Sequence, residues 1–211
     1  MIPAVYREIR RVGRTSPAVF LDRDGVLVED TGHLHRVADI RYIEGALEAV
    51  TTLNAAGLPV VLVTNQAGIG RGLYGWDDFQ LVQQQIDSDL AACGGRFDGV
   101  WACAAYPRHL FRKPNTGMLH DAAERMSLDL GRSWLVGDQP SDIEAGLRAQ
   151  LAAICHVATG HGARNRAAVE FLINSYGYRS KFYPCSSLRQ AVPRILECMP
   201  AQHSNVSIRP D

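Results

Sequence analysis

Five times along the chain a short run of apolar, β-branched residues breaks off and a stretch with helical periodicity follows. That alternation narrows the possible folds more than any other feature. "AVFLD" (18–22) precedes a helical pattern near Glu44–Ala56, "LPVVLVTN" (58–65) one near Trp76–Ala92, and "FDGVWAC" (97–103) one near Gly117–Leu130. "SWLVGD" (133–138) leads into Ser141–Gln150 and "AAICHVA" (152–158) into Ala163–Asn174. Runs without polar alternation suit strands buried on both faces, and strands separated by helices form β-α-β units in a parallel sheet. The expected fold is a doubly wound, Rossmann-like α/β sheet. A last strand near Lys181–Pro184 and a helix over Ser187–Cys198 close it, with Pro193 expected to kink or delay that helix.

The 211 residues fit one domain with a full core, here 17–198. The Arg-rich residues 1–16 read as a surface arm and 199–211 as a loose tail. No apolar run approaches the ~20 residues of a membrane span, and the start lacks the uninterrupted apolar segment of a signal peptide, so the cytoplasm is the expected compartment. Formal net charge is zero, which supplies no global field for nucleic acid or an anionic membrane. Five cysteines without a Cys-x-x-Cys pair argue against a disulfide framework, and reduced thiols are expected. Of 22 basic residues only Lys113 and Lys181 are lysine, a skew that codon bias explains and that still directs attention to those two.

In such sheets ligands sit beyond the carboxyl ends of the strands. Those ends carry Asp22 and Asp24, then Thr64 and Asn65, then Arg112 and Lys113, then Asp138 and Asp142. Right-handed crossovers bring all of them to one edge. Carboxylates about 4 Å apart repel by roughly 4 kcal/mol at an effective dielectric near 20, so a cluster of them calls for a cation. A hard divalent ion, Mg²⁺, fits oxygen ligands and leaves room for a phosphate oxygen. A metal-bound carboxylate can attack phosphorus while Lys113 offsets charge, and a second acid two residues away can move the proton. Thr64 and the glycines of "NQAGIGRG" (65–72) suit anion oxygens, although Gly68, Gly70 and Gly72 are equally compatible with a plain loop. Taken singly, Asp-x-Asp reads as a turn or cap, Asp142 as a first-turn helix acid, and Arg71 and His35 as surface residues.

"FLDRDGVLVED", "VVLVTNQAGIGRG", "FRKPNTGML" and "WLVGDQPSD" resemble, in order and spacing, the four motifs of the haloacid dehalogenase-like (HAD) phosphohydrolases. Within these the chain is most similar to the group containing D-glycero-D-manno-heptose 1,7-bisphosphate phosphatases and histidinol-phosphate phosphatases. The resemblance implies a Mg²⁺-dependent phosphomonoesterase working through an aspartyl-phosphate. Asp22 would be the nucleophile and Asp24 the general acid/base. Thr64 and Lys113 would hold the phosphoryl group. The metal site would draw on Asp22, the main-chain oxygen of Asp24, Asp138 and, in support, Asp142. Substrate contacts would fall on Asp30, Gly32, His33, Asn65, Gln66 and Arg112. The implied substrate is a heptose 1,7-bisphosphate losing its 7-phosphate in the supply of activated heptose for surface polysaccharide, and the implied state is a monomer.

The chain also departs from that pattern. Many relatives carry a zinc loop after the third strand, whereas here "CAAYPRHLFRKP" offers only Cys103 and His109, too few for a tetrahedral site. Structural zinc is therefore not expected. Gln139 stands where relatives often have a substrate-binding Lys. Too few residues separate Asp24 from Thr64 for a large cap domain, so an open site with loop-borne specificity is expected. Two other substrates stay open: histidinol phosphate, and a polynucleotide 3'-phosphate, whose phosphatases share the "TNQ", "GIGRG" and "RKP" signatures. Against the latter stands the lack of a basic stripe.

Overall fold

A seven-stranded sheet in the order β1-β4-β3-β2-β5-β6-β7 forms the centre of the molecule. The computed structural model describes residues 4–11, 15–175, 177 and 179–199. The strands are β1 (Val5–Ile9), β2 (Val19–Leu21), β3 (Val60–Asn65), β4 (Gly99–Cys103), β5 (Trp134–Gly137), β6 (Ala153–Val157) and β7 (Lys181–Cys185). All pairings are parallel except β1 on β4. The helices are α1 (Ala46–Ala55), α2 (Ala67–Gly70), α3 (Trp76–Ala92), α4 (Gly117–Met126), α5 (Pro140–Arg148), α6 (Gly162–Ser175) and α7 (Leu188–Cys198).

Successive strand side chains point to opposite faces, and each face has its own core. Val19, Leu21, Val60 and Leu62 pack with Val50 and Leu53 of α1, Phe79 and Ile86 of α3, and Leu188 and Ile195 of α7. Phe20, Val61 and Val63 face the other way onto Met118 and Met126 of α4, Ile143 and Leu147 of α5, and Val169 of α6. Both faces of β2 to β6 are covered, which is why these strands show no polar alternation. Among the described residues no second sheet stands over the carboxyl edge, and no helix is long and apolar enough to cross a membrane. All five cysteines are free.

Three sequence expectations change. The surface arm is in part a strand: Val5–Ile9 pairs antiparallel with Gly99–Cys103 and extends the sheet. Charged residues suit an edge strand, and here both faces find partners. Arg10 pairs with Glu8 and Asp87 on one side, while Arg7 meets Asp121 on the other. Residues 1–3 and 12–14 of the arm lie outside the described residues. The helix expected over Gly117–Leu130 stops at Met126, because Ser127 takes a left-handed conformation (φ 56°) and turns the chain towards Leu128, which bridges to Ser16. Of the two effects expected of Pro193 the delay is not seen, since α7 starts at Leu188 and runs through it. Of the expected tail only Met199 is described, and it is buried against the core.

Candidate active site

The strand order reverses between β2 and β5, so their carboxyl ends open a crevice, and Asp22 and Asp138 are the first residues past them. One oxygen from each of Asp22, Asp138 and Asp142 can lie within 4.8 Å of the other two, and all three residues are buried. Lys113 enters this group from the loop after β4. It is 3% exposed, and its Nζ lies 2.9 Å from Asp22 Oδ1 and 2.7 Å from Asp142 Oδ1, while donating a hydrogen bond to the Val63 carbonyl at 2.7 Å. One hydrogen bond and two ion pairs, reaching from β3, from the residue after β2 and from α5, thus fix the Nζ position.

The loop carrying Lys113 is clamped to β3 by a reciprocal pair. Asn65 Oδ1 accepts from the Lys113 amide and Asn65 Nδ2 donates to the Lys113 carbonyl, both at 3.0 Å. Asp142 is fixed as firmly. Its Oδ2 accepts the Gln139 amide at 3.0 Å at the first turn of α5, so the helix-start reading and the site reading hold together. Asp138 is held from the loop after β6: its Oδ2 accepts the His161 amide at 2.7 Å. Room for that carboxylate comes from glycine. A Cβ on Gly25 would stand 2.5 Å from Asp138 Oδ2, and one on Gly160 would stand 2.4 Å from the Gly25 Cα. Both glycines have positive φ, 84° and 57°, which side chains with a Cβ rarely adopt.

Asp24 faces a different environment. Its carboxylate accepts from Arg23 Nε at 3.1 Å and from Gln66 Nε2 at 3.0 Å. Arg23 is fully buried and also donates to Gln66 Oε1, and Gln66 in turn donates to Thr64 Oγ1 at 2.8 Å and accepts from the Tyr74 hydroxyl at 2.6 Å. Burial pushes the Tyr74 phenol up to about 12, so it remains a donor. This network joins Asp24, Gln66 and Thr64, three residues singled out in the sequence. Asp24's carboxylate is not part of the three-acid cluster; the metal role implied for it runs through its main-chain oxygen.

The electrostatics follow from burial. With Asp22, Asp138 and Asp142 all ionised, three negative charges face the single positive charge of Lys113. Burial, aided by Asp142 and Asp24, raises the Asp22 carboxyl well above its ordinary range although Lys113 opposes this. Burial, with Asp22 and Asp142, pushes Asp138 up to about 8. Burial would strip Lys113 of its proton, and Asp142 and Asp22 outweigh it. Asp138 Oδ1 is buried without a hydrogen-bond partner among the described residues. A divalent cation satisfies both the excess negative charge and that orphaned oxygen, and the donors are hard oxygens of the kind Mg²⁺ takes.

A cleft of about 240 Å³ opens over the group, lined by Asp22, Asp24, Asp30, Gly32, Asn65 and Arg112 together with Lys113, Gln139, Ser141 and Asp142. Thr64, Gln66 and Asp138 are buried and do not line it. His33 does not line it either: its ring is exposed and lies near Tyr74, 6.4 Å between centroids. Two contributors escaped the sequence reading. Arg23 gave no signal beyond its position between the two acids. The "TGHG" turn after β6 lies at the same sheet edge as the other motifs, and reading that fifth strand end would have found it. His161 Nε2 also lies 2.9 Å from Asp30 Oδ2, which ties this turn to the cleft wall. Cys103 and His109 are 4.0 Å apart, Sγ to Nδ1.

Comparison with known proteins gives a consistent result. Residues 110–178 match a family described as HAD-hydrolase-like. A D-glycero-beta-D-manno-heptose-1,7-bisphosphate 7-phosphatase of Mesorhizobium japonicum is 46% identical over 145 residues, covering 64% of this chain and 67% of that one. The enzyme of the same name from Photorhabdus laumondii is 36% identical over 170 residues, 75% of this chain and 90% of its own. Among solved structures, D,D-heptose 1,7-bisphosphate phosphatase from B. bronchiseptica, complexed with magnesium and phosphate, superposes with a TM-score of 0.77 at 30% identity, covering 86% of this chain and 98% of that one. With the four motifs in place on the same sheet edge, the chain belongs to the HAD-like hydrolases and is a phosphatase of that family.

Proposed function

We propose that the chain hydrolyses the 7-phosphate of a D-glycero-D-manno-heptose 1,7-bisphosphate, with Asp22 as nucleophile and Mg²⁺ as cofactor. The observation that carries this reading is the buried cluster of Asp22, Asp138 and Asp142 around Lys113, at the floor of a polar cleft. The names of relatives 36–46% identical support the choice of sugar. Mg²⁺ would be held by Asp22, Asp138 and the Asp24 main-chain oxygen, and when bound it offsets the charge of carboxylates and phosphate.

The remaining chemistry belongs to the chain. Asp22 attacks phosphorus, forming an aspartyl-phosphate as the bond to the sugar oxygen breaks. Asp24, part-buried in the cleft wall and oriented by Arg23 and Gln66, gives its proton to the departing sugar oxygen. It then takes a proton from the water that attacks the aspartyl-phosphate, which frees Asp22 and inorganic phosphate. Lys113 and the Thr64 hydroxyl hold phosphoryl oxygens. Asp142, with each oxygen already near a donor, positions Lys113.

Phosphate release with Mg²⁺ from heptose 1,7-bisphosphate, histidinol phosphate and a 3'-phosphorylated oligonucleotide, measured beside Asp22→Asn, tests the reading. Preferred turnover of the bisphosphate by wild type, lost in the variant, is the expected result. Preferred turnover of either other compound overturns the choice of substrate, and an active Asp22→Asn overturns the mechanism.

A further inference from the structure

Two arginines, of which Arg112 lines the cleft, rest on one aromatic ring. The guanidinium carbons of Arg71 and Arg112 lie 3.9 and 5.5 Å from the centroid of Tyr106, a residue half exposed at the start of the loop after β4. Arg112 lines the cleft beside Lys113, and its Nη1 is buried without a hydrogen-bond partner. Among the described residues no carboxylate stands within ion-pair distance of Arg71 or Arg112.

The backbone is shaped to bring these groups together. Helix α2 abuts the loop so closely that a Cβ on Gly70 would stand 2.1 Å from the Ala104 carbonyl oxygen and 3.5 Å from the Tyr106 amide nitrogen. On its other side, a Cβ on Gly68 would stand 2.2 Å from the Tyr74 ring. Arg71 therefore leaves α2 from a backbone fixed on both sides, next to Tyr106. Gly68 and Gly70, which the sequence left open between anion-binding amides and a plain loop, serve this close approach. Burial, with a smaller contribution from the like charge of Arg71, lowers the Arg112 pKa. The ring face offsets part of the cost, and an anion accepting from both forks would offset the rest. Across the cleft Gln139 is uncharged and its Oε1 already accepts from Asn165, so the arginine side is where charge for a second phosphate is found.

We propose that Arg71, seated on Tyr106 beside Arg112, completes an anion subsite for the phosphate of the substrate that is not transferred, and so selects bisphosphorylated over monophosphorylated compounds. This rests on the sugar-bisphosphate reading above. Arg71 binds the anion, and Tyr106 is a positioning residue.

The test compares kcat/KM for heptose 1,7-bisphosphate with that for p-nitrophenyl phosphate, which has no second phosphate. Arg71→Ala and Tyr106→Leu should each lower the ratio roughly 10- to 100-fold, the size expected for losing a hydrogen bond to a charged group. The change should lie in KM for the bisphosphate, and Tyr106→Phe, which keeps the ring, should restore the ratio. Wild type that hydrolyses p-nitrophenyl phosphate without preferring the bisphosphate overturns the substrate reading and the subsite with it. A wild-type preference that survives Arg71→Ala and Tyr106→Leu overturns the subsite alone.

Discussion

Lys113 sits buried among two carboxylates and a carbonyl, so its removal leaves buried charge unpaired. Breaking such a pair costs about 3–5 kcal/mol. Lys113→Met should therefore lower the unfolding free energy in urea by about that amount, and adding Asp142→Asn should recover part of it; no loss in the single variant would show that the pairing is not formed. Asp138 behaves in the opposite sense. Its carboxylate adds like charge to the cluster, so in metal-free protein Asp138→Asn should be at least as stable as wild type. It should, however, lose activity and the rise in Tm that Mg²⁺ gives wild type, a rise worth about 2.7 kcal/mol at a concentration 100 times Kd. A full Mg²⁺-dependent rise in Asp138→Asn would remove this residue from the metal site. At this scale the sequence was most informative where chemistry restricts residue type. Lys113 was conspicuous as one of two lysines, and the acids fell at strand ends. Arg23 was illegible because its role depends on burial beneath Phe79 and Gln66, which are separated from it by more than forty positions.

Edge strand β1 shows how an element can be missed. "VYREI" alternates weakly and is rich in charge, and only its partners reveal why it pairs: Arg7 meets Asp121 and the Phe111 ring, and Tyr6 packs on Trp76 and Phe79. The central strands, buried on both faces, were legible from composition alone, and α3 was read to the residue. Burial opposes ionisation of Asp121, and the Trp101 indole N–H with Arg125 and Arg7 outweighs it, so its carboxyl lies below the usual range. A depressed pKa in the folded state adds stability that is complete above the ordinary carboxylate range and lost as pH falls below it. Asp121→Asn should accordingly be less stable than wild type at pH 7 and lose less on acidification from about pH 5 to pH 3, followed by urea unfolding. Parallel pH profiles for the two proteins would contradict the anchoring role of this residue between β1 and α4.

The whole molecule places four sequence-distant motifs on one edge of a single sheet, with no second domain over them among the described residues. That arrangement was foreseeable because the crossover rule fixes which edge the strand ends share. The details of the cleft mouth were not, since they depend on how α2 meets the loop after β4 and how the turn after β6 meets Asp138. The central claim is that Asp22 carries the phosphoryl group. During turnover of heptose 1,7-bisphosphate with Mg²⁺, rapid acid quenching followed by borohydride reduction should convert the acyl phosphate to homoserine, detected at position 22 by peptide mass spectrometry. Homoserine at position 22 alone is the predicted result; phosphate release with no reducible acyl phosphate there, or with the label at another carboxylate, would contradict the account.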